Sequence, residues 1–96
     1  MKPSVAFENN RALIRDAVAR HKSANPRIFG SVLHGTDKDG SDVDILVDTL
    51  PETSLFDLGG LQVELEEALG VPVQVSTSGG LSKYFRDEVL AEARPV

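Results

Sequence analysis

Gly30-Ser31-Val32-Leu33-His34-Gly35-Thr36-Asp37-Lys38-Asp39-Gly40-Ser41-Asp42-Val43-Asp44-Ile45-Leu46-Val47-Asp48 is the stretch on which the fold turns. Its second half, Asp42 to Val47, is rich in β-branched residues and alternates Val43, Ile45 and Val47 with Asp42, Asp44 and Leu46. That pattern predicts a strand. Side chains two apart in a strand share a face, so Asp42 and Asp44 project side by side. Neighbouring carboxylates raise each other's pKa unless a cation lies between them. A hard divalent ion such as Mg²⁺ takes oxygen ligands, commonly one or two carboxylates plus substrate phosphates. A lone Asp-x-Asp reads more often as two solvated acids on an edge strand.

The first half of the stretch changes the balance. Gly30-Ser31 follows the apolar pair Ile28-Phe29 and precedes a possible helical turn. Glycine at that junction lets backbone approach a ligand closely. Free N–H groups at a helix start attract phosphate, and Ser31 adds a hydroxyl. Gly35 follows, and Gly40-Ser41 closes the loop before the acids. A phosphate-binding turn joined by a short loop to a carboxylate pair suits a metal–nucleoside triphosphate.

Gly30-Ser31, Gly35 and Ser41-Asp42-Val43-Asp44 resemble the Gly-Ser-x-x-x-Gly…Ser-Asp-x-Asp motif of the DNA polymerase beta-like nucleotidyltransferase superfamily, and the small size resembles its minimal nucleotidyltransferase branch. The resemblance runs from about Arg27 to the C-terminus. It implies an α/β (α+β) fold, a small mixed sheet with helices packed against it. It implies transfer of a nucleoside monophosphate, AMP from Mg-ATP, to a hydroxyl, with Mg²⁺ or Mn²⁺ held by Asp42 and Asp44. Gly30, Ser31, Gly35 and Ser41 would bind the nucleotide. Members of that branch are often antitoxins of HEPN–MNT toxin–antitoxin modules, so the implied partner is a HEPN toxin, whose tyrosine or similar hydroxyl would be the acceptor. An antitoxin that neutralises its toxin by contact alone is the alternative.

One position departs from the pattern. The branch places a third carboxylate in the strand after the second helix, and here Gln74 stands there, between Val73 and Val75. A glutamine carbonyl can ligate a cation, but it carries no charge and takes no proton at ordinary pH. Slower or absent transfer with surviving nucleotide binding is the expectation. Asp48 and Asp57 are the other candidates for a third acid.

The chain has 96 residues and a net charge of −5, with no cysteine. That length fits one domain over 1–96 with a modest core, so a partner or a second copy in a homo-oligomer could add burial. No run is apolar enough for a membrane span or signal peptide, and a cytoplasmic place is expected. The ten Lys and Arg are scattered, so direct nucleic-acid binding is not expected.

Residues 1–8 read as a loose arm. Leu13, Ile14, Ala17, Val18 and His21 predict a helix from about Asn9 to Ser23, stopped by Asn25-Pro26, with Arg27-Ile28-Phe29 a short first strand. His21 reads as a packing histidine. His34, inside the motif, is either a loop residue or a contact to phosphate or partner. The loop around Asp37 and Asp39 lacks the glycine and glutamate of a calcium loop. A helix capped by Thr53 or Ser54 runs to Leu69 with Gly70 as its stop, Leu58, Leu61, Leu65 and Leu69 inside, and Glu64, Glu66 and Glu67 in solvent. Val71 to Val75 is a third strand with Pro72 near its start. Leu81, Tyr84, Phe85, Val89 and Ala93 predict the buried side of a last helix.

Overall fold

The computed structural model describes Met1–Val96. Helices α1 (Pro3–Asn9) and α2 (Arg11–Arg20) lead into strand β1 (Ser23–Phe29) and the short helix α3 (Gly30–His34). Strand β2 (Val43–Thr49), helix α4 (Leu55–Leu69), strand β3 (Val73–Ser76), a 3₁₀ turn (Ser78–Gly80), helix α5 (Arg86–Glu92) and strand β4 (Arg94–Pro95) follow. The four strands form one mixed sheet in the order β3-β2-β1-β4. β1 runs antiparallel to β2 and β4, and β3 runs parallel to β2. The expected α/β fold is therefore present.

Period-two alternation in β2 separates the two faces of the sheet. Val43, Ile45 and Val47 are fully buried and pack with Ile28, Val73 and the helix residues Ile14, Ala17, Val18, Leu61, Leu65 and Leu69. The core thus lies between the sheet and α1, α2 and α4. Asp42, Asp44 and Asp48 lie on the other face, where only Leu46 of β2 is buried. No helix is long and apolar enough to cross a membrane.

α4 follows its sequence signals closely. The Ser54 hydroxyl accepts from the Asp57 N–H while the Asp57 carboxylate accepts from the Ser54 N–H, a reciprocal capping box. Gly70 ends the helix in the left-handed region at φ 72°.

Four expectations need correction. Residues 1–8 are not a loose arm: Pro3 at the first helical position starts α1, Ala6 and Phe7 are buried, and the Asp37 carboxylate accepts from the Ser4 N–H at 2.8 Å. The helix expected over 9–23 is interrupted at Asn10, whose side chain donates back to the Ala6 carbonyl instead of capping α2. Asn25-Pro26 does not end a helix but lies in β1, where a register shift between Ala24 and Arg27 absorbs the proline. Asn25 takes φ 53° at that bulge. The last helix is shorter than expected and buries no residue, with Tyr84 and Phe85 exposed before it.

The glutamates of α4 are also more than a solvated face. Glu66 accepts from the Val73 N–H and Gln62 from the Val75 N–H, which satisfies the outer edge of β3. Glu64 accepts from Arg20 and meets His21 Nε2 at 3.0 Å, tying α4 to α2.

Candidate nucleotide and metal site

β1 ends at Phe29, and the chain turns at once into α3 through Gly30 at φ 73°. That backbone conformation favours glycine. Space requires it as well. A Cβ on Gly30 would overlap the Asp44 carboxylate and lie 3.1 Å from Asp44 Cγ. The bend and the second acid of the Asp-x-Asp are therefore in contact. The register explains why, since Phe29 pairs with Asp44 across β1 and β2. Gly35 closes α3 with φ 71°.

On the other side of β2, Asp44 pairs in register with Gln74 of β3. Paired residues on neighbouring strands share a face, so Gln74 stands beside Asp44 and is exposed. Asp42 precedes Asp44 by two residues, at the mouth of β2, and is exposed. Burial, and then the charge of Asp42, push the Asp44 carboxyl up to about 6. Neither Asp42 nor Asp44 takes part in any of the chain's ion pairs. Two oxygen-donor carboxylates lacking an internal cation, one of them held up by desolvation, fit a hard divalent ion such as Mg²⁺ or Mn²⁺. No group of three His, Asp or Glu side chains converges anywhere in the chain.

The alternative third acids are occupied elsewhere. Asp48 accepts from Arg27 at 2.6 Å and from Asn25 at 3.1 Å, far along β2. Asp57 is in the capping box of α4. Ser41 and His34 also have partners of their own. The Ser41 hydroxyl accepts from the Lys38 N–H at 3.0 Å and so folds the loop that leads to the acids. His34 ends α3, with Nε2 2.9 Å from Glu92 Oε2 of α5. Gly30, Asp44 and Gln74 are thus brought together, Asp42 flanks them, and Ser41, Gly35 and His34 shape the surrounding loop.

Asp37 is a residue whose role the sequence did not show. It is buried, and its bond from Ser4 holds its carboxyl below the usual range. Accepting the Ser4 N–H at the start of α1, it couples the N-terminal helix to the loop between α3 and β2. The Lys2-Pro3 helix start was the available signal.

A glycine bend thus lies against the second acid of an Asp-x-Asp on a mixed sheet. The model of the nucleotidyltransferase domain matches residues 11–96, and the chain belongs to that family. It is 40% identical over 74 residues to "Putative protein adenylyltransferase MJ0435" of Methanocaldococcus jannaschii, covering 77% of this chain and 80% of that protein. Within the family it is similar to a solved "putative minimal nucleotidyltransferase", with a TM-score of 0.86 and 34% identity over 97% of this chain and 95% of the other. A toxin–antitoxin structure with AMP-PNP shares the fold, with a TM-score of 0.76 and 23% identity over 90% of this chain and 71% of the other.

Proposed function

We propose that this nucleotidyltransferase transfers AMP from ATP to a hydroxyl on a HEPN-type partner toxin. The observation that carries the proposal is the contact of Gly30 with Asp44, which sets the bend that would bind phosphate against one of the two carboxylates. Mg²⁺ or Mn²⁺ held by Asp42 and Asp44 would carry the triphosphate and offset the charge of the transferring group. Gly30 and Ser31, at the start of α3, would hold phosphate oxygens through backbone N–H groups and the hydroxyl. The acceptor oxygen would bond to the α-phosphorus, pyrophosphate would leave, and the acceptor proton would pass to water. The name of the archaeal relative supports AMP and a protein acceptor.

Gln74 favours a second reading, in which the chain neutralises its toxin by contact with little or no transfer. Beside Asp44, a neutral amide supplies no third charge for the cation. The test combines the protein, labelled ATP, Mg²⁺ and a candidate HEPN-type partner, sought first as a small all-helical protein encoded by a neighbouring gene. Label on the partner, lost in Asp42→Ala and Asp44→Ala, supports transfer. Neutralisation without label supports contact alone, and neither label nor neutralisation defeats both. Gln74→Asp should raise transfer about tenfold or more if the third charge is what is missing.

A further inference from the structure

The outer side of α4 is apolar and almost bare. Phe56 is 93% exposed, Leu55 85% and Val63 54%, while Leu61, Leu65 and Leu69 of the same helix are buried on the sheet side. At 100° per residue Leu55, Phe56, Gly59 and Val63 fall on one stripe turned away from the core. The two glycines of this helix differ. A Cβ on Gly60 would lie 3.3 Å from the His21 ring, so packing against α2 accounts for it. A Cβ on Gly59 would meet nothing within 4 Å, although glycine costs a helix about 1 kcal/mol relative to alanine. Gly59 leaves the stripe open between Phe56 and Val63.

Charge indicates what would cover the stripe. From Thr49 to Ser82 the chain holds five acids, Glu52, Asp57, Glu64, Glu66 and Glu67, and no Lys or Arg. The other ten acids and ten cations cancel, so this segment carries the whole net charge of −5. Glu52 and Glu67 are exposed and lie toward the two ends of the stripe. A second copy would set like charges against each other at that rim. We infer that the stripe Leu55, Phe56, Gly59 and Val63 is the docking face for a helix of the partner protein, one that offers an apolar ridge flanked by Lys or Arg. The inference deepens the partner reading proposed above and rests on it.

The test uses the full chain and the candidate HEPN-type partner, with binding followed by calorimetry at two salt concentrations. Phe56→Lys and Val63→Lys should each weaken the complex roughly 30-fold or more, as loss of a central aromatic or aliphatic anchor does. Glu67→Lys should mainly slow association and flatten its salt dependence. Nucleotide binding should be unchanged in all three, which shows that they remain folded. Wild-type affinity in Phe56→Lys and Val63→Lys overturns the docking face while leaving the partner reading intact. No complex with the unsubstituted chain overturns both. Self-association of the chain that Phe56→Lys abolishes assigns the face to a second copy and overturns the inference.

Discussion

The two faces of the sheet do opposite work from the same strand. On one face Val43, Ile45 and Val47 are closed over by three helices. On the other, Asp42 and Asp44 project beside Gln74 with nothing in the chain to neutralise them. The covered face stabilises the fold through apolar burial. The open face works against it, because Asp44 is half-buried and its ionised form is disfavoured. A cation bound there would relieve this local instability.

Substitutions on the two faces should therefore separate. Ile45→Ala, on the covered face, should destabilise by about 2–5 kcal/mol in chemical denaturation and unfold much of the protein with its activity. Gly30→Ala, at the border of the open face, should cost about 1–3 kcal/mol for its left-handed backbone alone. It should also abolish nucleotide binding, since the new methyl displaces the Asp44 carboxylate.

Asp44→Asn should do the reverse, abolishing transfer while stabilising the metal-free protein. The folded-state carboxyl titrates at about 6, above the ordinary 3.8, so its ionisation penalises the fold as pH rises. After allowance for solvent screening the gain is about 1 kcal/mol at pH 7, and it should vanish below about pH 4. Denaturation of both proteins in chelator at pH 4 and pH 7 measures it. Equal stability at both values would break the contrast between the faces. Asp37→Asn should act in the opposite sense and more weakly. Its carboxyl is held low by the Ser4 N–H, so the native residue stabilises above its unfolded pKa and that benefit fades as pH falls. Amide exchange in α1 should therefore quicken in the variant at pH 7.

Much of this was legible in the sequence wherever short-range chemistry decides. A Thr53 or Ser54 cap and Gly70 marked the ends of α4, the alternation in β2 sorted core from acids, and Gly30 beside an apolar strand marked the bend. What was not legible depended on distant partners. α1 lacks a side-chain cap of its own and is held by Asp37, thirty-three positions away from Ser4. Pro26 reads as a helix stop, yet the bulge at Asn25 lets a strand run through it. Tyr84 and Phe85 have helical spacing, but no layer of the fold covers them. The position of Gln74 was visible in the pattern, whereas its register against Asp44 came only from the sheet.

The most direct measurement is binding of a non-hydrolysable ATP analogue to the purified chain, with Mn²⁺ and with chelator, for the unsubstituted protein and for Asp42→Asn/Asp44→Asn. Binding that requires the cation and disappears in the double variant is the expected result. Cation-independent binding that survives loss of both carboxylates would contradict a site built from the Gly30 bend and the paired aspartates.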